Sequence, residues 1–295
     1  MELWIYFTVL AAFMQAVRTA GQKQLSHHLD AIATTLVRFL FALPIVWLYL
    51  GLVKYHKQLE FPAVNYDFIQ LASLAAIAQI VGTAFTIKAF SYQNFAVATS
   101  LVKTEAILTA LLGVLMFDAV LSGFGWISVV IGGIAVLLLS NVDKNLMSIF
   151  KSPAALFGVG AGLCFALASL WIREASLILN TDLLLSAAYT LAFTVTLQSV
   201  IIVVYLLIKD KNQFTKMTGY WKLCWFVGAT SALGSIGWFT ASSLQTVAYV
   251  KALGQIDFFF TLIITLKIFK ESISVREYLG MFLILVSVMI LLLLA

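Results

Sequence analysis

The chain has 295 residues, of which 62% are hydrophobic and only 11% charged, with a net charge of +5. A soluble domain is about one-quarter charged, so a fully water-facing fold is excluded and lipid must supply much of the solvent. The basic excess is no nucleic-acid footprint, because the Lys and Arg residues sit between apolar runs, where they hold loops at a membrane surface.

Apolar runs of roughly 20 residues, enough to cross the hydrocarbon core, recur along the whole chain. They predict helices over 3–21, 32–53, 67–90, 95–117, 122–140, 154–174, 182–208, 221–244, 248–269 and 275–294. The first run follows Met1 and Glu2 without a basic stretch or a small-residue cleavage site, so it reads as a retained helix rather than a signal peptide. Longer links run from Lys54 to Tyr66 and from Lys209 to Tyr220, and Asn141–Ser152 joins the two halves. No Walker sequence is present, which argues against ATP as the energy source. Cys164 and Cys224 lie in apolar runs without metal-ligand spacing, so neither a metal nor a cofactor is expected.

Displacing the chain by 152 residues sets its halves in one gapless register. Phe13 then meets Phe165, Asp30 meets Asp182, Gly82 meets Gly234, Gln93 meets Gln245 and Ser122 meets Ser274. Five helices per half is an odd number, so the second half must enter the membrane with the opposite orientation. The expected fold is an all-α integral membrane protein with ten transmembrane helices in two inverted five-helix repeats, residues 1–147 and 148–295. Secondary transporters use such repeats, with the substrate held near the midplane.

Ten crossings leave both termini on one side. Lys23, Lys144, Lys151, Lys209, Lys211, Lys216, Lys270 and Arg276 fall in one set of links, against mainly Lys54, Lys57 and Arg173 in the other. The positive-inside rule puts the first set in the cytoplasm and both termini outside.

Charges within spans are costly, about 2.5–3.5 kcal/mol each on insertion scales, and mark paired groups or wet cavities. Arg18, Lys88, Arg173, Glu174 and Lys267 lie close enough to helix ends to reach the interface, and Lys251 reads as interfacial too. Glu105 and Asp257 differ: each falls near the middle of its predicted helix, and they are equivalent in the repeat, 152 residues apart. A carboxyl held away from water favours its neutral form. Either acid is therefore a candidate for proton coupling or for pairing with a cationic substrate group. Arg38 could balance that charge or hold a substrate carboxylate. Gln15, Gln79, Thr83, Ser235, Tyr189 and Trp238 are further candidates for the substrate site, the aromatic ones through cation–π contact. Gly82, Gly234 and the Gly158–Gly162 pair suit close helix crossing.

The chain resembles the EamA-type members of the drug/metabolite transporter superfamily along its whole length. The resemblance is carried by the run Ala248–Thr261, by Phe269–Ser274 and Tyr278–Val288, by their first-half counterparts Asn94–Phe117, Asp118 and Gly123–Ser140, and by Arg38 within Leu36–Leu40. Many relatives have a proline in the fourth and ninth helices; this chain has none there. The resemblance implies ten helices, a central cavity, alternating access and cytoplasmic termini, opposite to the charge bias. Its substrates range over amino acids, amines, nucleotide sugars and other metabolites.

The expected function is secondary active transport of a small polar metabolite, an amino acid, amine or similar zwitterion or cation, across the cytoplasmic (inner) membrane, coupled to protons. The expected partners are that small molecule, protons and membrane lipids, with no nucleic acid. The alternative is an exchanger or flippase for a phosphorylated or lipid-linked sugar, which would want arginines and lysines in the cavity. An intramembrane enzyme would need a His/Asp cluster, a Ser/His pair or a metal set at membrane depth, and no such pattern occurs.

Overall fold

The computed structural model describes residues 3–117, 122–139, 152–245, 250, 253–254 and 256–293. Asp118, Lys251 and most of the segment joining the halves lie outside these residues. Among the described residues the chain is helical, with no strand. In chain order the helices are α1 (Leu3–Leu25), α2 (Ala31–Leu40), α3 (Leu43–Lys57), α4 (Tyr66–Ala89), α5 (Phe95–Val102), α6 (Glu105–Phe117) and α7 (Gly123–Leu139). They continue as α8 (Pro153–Ile178), α9 (Leu183–Lys209), α10 (Asn212–Gly219), α11 (Trp221–Leu244), α12 (Asp257–Ile264), a π-helical turn (Thr265–Phe269) and α13 (Val275–Leu293).

Among the described residues, six stretches are long and apolar enough to cross a membrane: α1, α2–α3 taken together, α4, α8, α9 and α11. Large apolar side chains such as Leu48, Ile77, Val130, Val204 and Phe282 remain exposed on these and neighbouring helices. Lipid, which solvates such groups without penalty, accounts for them.

The helix predicted over 32–53 is broken in two. Pro44 opens α3; it has no N–H to donate and its ring crowds the preceding turn, so the ladder is interrupted at Phe41–Ala42. Asp30 caps α2, its Oδ1 accepting from Ala33 N at 2.7 Å. Asp182 caps α9 in the same way, accepting from Leu184 N at 3.1 Å and Leu185 N at 3.2 Å. The link predicted from Lys209 to Tyr220 contains α10, held by Gln213, whose Nε2 donates to Asp210 Oδ2 at 2.8 Å. Element bounds recur at the 152-residue displacement: α2–α3 begins and ends that far before α9, and α6 that far before α12 with its π turn.

The chain forms two compact units, residues 1–80 with 168–257 and residues 81–167 with 258–295. Each therefore draws on both sequence halves. The first packs around Leu36, Val37, Phe39, Leu185, Leu191 and Ile202. Within it α1 lies along α11, where Gly237 lets the helices close: a Cβ there would stand 2.6 Å from Phe7 O. The second unit centres on Ala135, Leu139, Phe258, Met281 and Ile284. Its α7 and α13 are joined by reciprocal hydroxyl bonds: Ser128 Oγ donates to Ser287 O, and Ser287 Oγ donates to Ser128 O, each at 2.7 Å. At the mouth of α5, Glu271 Oε2 accepts from Phe95 N at 2.8 Å and Asn94 Nδ2 donates to Glu277 Oε1 at 3.0 Å.

Candidate functional site

In the first unit, close packing of α1 on α11 brings Gln15 to Trp238. The indole Nε1 donates to Gln15 Oε1 at 2.9 Å. Gln15 Nε2 in turn donates to Asp257 Oδ2 at 3.2 Å. An indole can only donate, so it fixes the amide with its oxygen toward Trp238 and its NH₂ toward the carboxylate. Asp257 is only 6% exposed. Gly254, one turn earlier, leaves room for the indole: a Cβ there would lie 2.5 Å from Trp238 Cη2. Ser235 is half-buried three residues before Trp238 on α11, on the same side of the helix.

Two buried cations stand near this chain of bonds. Arg18, one turn along α1 from Gln15, is 6% exposed and close enough to be attracted by the Asp257 charge. Arg38 on α2 is buried to the same degree, rests on the Phe39 ring at 5.1 Å, and is close enough to Arg18 for their charges to repel. Arg18 was expected to reach the membrane interface; instead the protein encloses it. Lys88, Glu174 and Lys267 are exposed, while Arg173 is half-buried and donates from Nη1 to Ser242 O at 2.8 Å.

The placement of the two acids needs correction. Neither lies inside a continuous helix: Glu105 opens α6 and Asp257 opens α12. Ahead of Glu105 the ladder tightens, with Lys103 N donating to Ser100 O and Thr104 N to Leu101 O. Thr104 Oγ1 also donates to Leu101 O, at 2.8 Å, occupying a carbonyl that the ladder would use. A hydroxyl and a three-residue turn thus break the helix without proline. Gly158 and Gly162 let α8 back onto this break, where a Cβ at 162 would lie 2.7 Å from Thr104 Oγ1 and 3.0 Å from Glu105 N. The first turn of a helix has unpaired N–H groups and the positive end of its dipole, so each acid sits where a carboxylate is favoured, an influence absent from the mid-helix expectation.

The other sequence candidates are not all drawn together. Gln79 Oε1 accepts from Gln198 Nε2 at 2.9 Å, and the same amide donates to Ala76 O at 3.2 Å; this ties α4 to α9. Tyr189 packs between Phe61 and Phe68, with ring centroids 6.0 and 5.9 Å away. Thr83, buried on α4, and Glu105, half-buried, belong to the second unit. The sequence reading missed Arg18 and Gln22, although Gln15, Arg18 and Gln22 follow the three- and four-residue spacing of one helix face.

The family model of EamA-like transporters matches residues 2–141. No relative is found among curated proteins. Among solved structures 28 chains match. One, titled "Crystal structure of protein", is 11% identical, covers 100% of this chain and 97% of its own, and superimposes with a TM-score of 0.66; at that identity the likeness is one of fold. Residues 2–141, just under half of the chain, are thus similar to EamA-like transporters, and the long apolar helices are those of a multi-pass membrane protein.

Proposed function

We propose that the protein is a secondary active transporter, not an enzyme, which moves a small polar metabolite (an amino acid, an amine or a similar zwitterion or cation) across the cytoplasmic membrane by alternating access. The observation that carries this reading is the buried Asp257 carboxylate, held through Gln15 to Trp238 within a helical membrane protein. A buried acid beside an aromatic ring suits an ammonium group, and an acid that exchanges its proton for such a group couples the two fluxes. Glu105, its counterpart at the 152-residue displacement, is the second candidate for proton coupling. The recurrence of helix bounds at that displacement supports ten crossings as inverted repeats, 1–147 and 148–295.

A second reading is favoured by a different observation. Buried Arg18 and Arg38 suit an exchanger or flippase for a phosphorylated or lipid-linked sugar. A binding screen on purified protein separates the two. Amino acids and amines should raise the melting temperature of the parent, and Asp257→Asn and Glu105→Gln should abolish or weaken that effect. Stabilisation by sugar phosphates alone would favour the second reading, and equal stabilisation of the parent and both variants would remove the acids from the site.

A further inference from the structure

One end of the first unit carries lysines that the fold does not pair. The link after α1 and the α9–α10–α11 junction meet there: His28 stacks on Tyr220 with ring centroids 4.1 Å apart, and Asp30 N donates to Gln213 Oε1 at 3.4 Å. Gln213 and Met217, buried and four residues apart, seat α10 on the unit through one face. Lys209, Lys211, Lys216 and Lys222 are exposed around it, and none of the four is in an ion pair among the described residues. The two acids in these links turn to N–H groups instead: Asp210 accepts from Gln213 Nε2 and Asn212 N, and Asp30 accepts from Ala33 N.

The lysines at the opposite end of the unit are engaged. α9 has 27 residues and so rises about 40 Å, which sets Asp182 and Lys209 on opposite sides of a hydrocarbon core about 30 Å thick. Beside Asp182, Lys57 Nζ pairs with its Oδ2 at 2.9 Å, and Lys54 Nζ rests over the Phe61 ring at 4.0 Å. Helix dipoles do not account for the unpaired set, since Lys222 stands in the first turn of α11, where a cation is disfavoured. Next to these lysines the surface turns aromatic: Trp221 is 54% exposed and Trp225, one turn further, 42%. Tryptophan gathers at headgroup depth, so the lysines beside it stand among phosphates.

We propose that α10 lies in the headgroup layer and that this end of the first unit binds anionic phospholipids through Lys209, Lys211, Lys216 and Lys222. An ammonium is a compact point charge on a flexible stem, suited to a mobile phosphodiester rather than to a ligand of fixed shape. The stems lie along the apolar boundary while the charged ends reach the headgroups. The proposal concerns the lipid around the protein, not its cargo, and stands apart from the transport reading.

The test titrates the full chain in detergent with phosphatidylglycerol, phosphatidylcholine and inorganic phosphate, and reads bound lipid by native mass spectrometry. Phosphatidylglycerol should bind the parent more tightly than phosphatidylcholine, and added salt should remove the difference. Each lysine changed to glutamine should weaken phosphatidylglycerol about fivefold, so Lys211→Gln combined with Lys216→Gln should weaken it roughly 25-fold. Lys211→Arg combined with Lys216→Arg should bind as the parent does, because charge rather than shape makes the contact; this pair separates loss of charge from loss of fold. Lys54→Gln, at the opposite end, should leave binding unchanged. Equal affinity of the parent for both lipids, parental affinity in the double glutamine variant, or an equal loss in Lys54→Gln would overturn the proposal. Inorganic phosphate that displaces the lipid and weakens in the same variants would overturn it in favour of a soluble anion.

Discussion

Replacing Gly237 with alanine tests how α1 is held against α11 and whether that contact sets the Gln15 bond. The added Cβ would stand 2.6 Å from Phe7 O, 2.8 Å from Ala11 Cβ and 3.1 Å from Ala11 N. Two of these are backbone atoms, so no side chain can rotate away and α1 must retreat. Ordinary contact begins at 3.4 Å, and restoring it requires a shift of about 0.8 Å. Trp238 is the next residue, and its bond to Gln15 is 2.9 Å long. Carried through rigidly, the shift stretches that bond to roughly 3.7 Å, past the range in which a hydrogen bond survives. The expected cost is about 1–3 kcal/mol for overpacking and ~1 kcal/mol for the lost bond. Gly234→Ala, on the same helix, is the control: its nearest neighbours are Met14 Cβ at 3.5 Å and Gln15 N at 3.6 Å, so nothing need move. Thermal unfolding in detergent should show a clear fall for Gly237→Ala and little change for Gly234→Ala. Equal melting of the two variants would refute close packing at 237 as the constraint on α1.

Three further perturbations probe the cap, the helix break and the bond chain. Asp182→Ala should cost about 1 kcal/mol by removing the cap of α9. Burial pushes the Asp182 carboxyl up, but Lys57 Nζ at 2.9 Å and the N–H groups of Leu185 and Leu184 outweigh it and hold the group below its ordinary 3.8. Its contribution is therefore present above that ordinary value and lost as pH falls through the lowered one, so parent and variant should converge in acid melts, and a gap that widens on acidification would contradict this sign. Gly162→Ala should destabilise by about 1–3 kcal/mol, because its Cβ would press on Thr104 and the start of α6, whereas Gly133→Ala, with open space around it, should be neutral in the same melt. Trp238→Phe keeps an aromatic ring and removes the donor that orients Gln15; amino-acid affinity should drop several-fold by calorimetry, as for one lost hydrogen bond, with melting near the parent.

Much of the architecture was legible because lipid imposes it: a span must be apolar and close its own hydrogen bonds, and α1, α4 and α11 end within a few residues of their predicted limits. Breaks were harder to see. Pro44 signalled one directly, yet apart from Arg38 its run carries no charge and reads as one span. The break before Glu105 depends on where Thr104 Oγ1 points and on how close Gly162 comes, and neither has a sequence period. Asp257 was found by its charge in an apolar run and Gln15 as the lone amide in another; their bond joins residues 242 apart, which no local pattern displays. Arg18 was misjudged because distance to a helix end was taken as access to water, whereas burial is decided by neighbouring helices.

The most direct measurement is uptake of labelled amino acids into proteoliposomes under an imposed pH gradient, for the parent, Asp257→Asn and Glu105→Gln. Gradient-accelerated uptake by the parent that collapses in Asp257→Asn is expected of a buried acid that trades its proton for cargo. Flux indifferent to the gradient, or Asp257→Asn running at the parental rate, would contradict it.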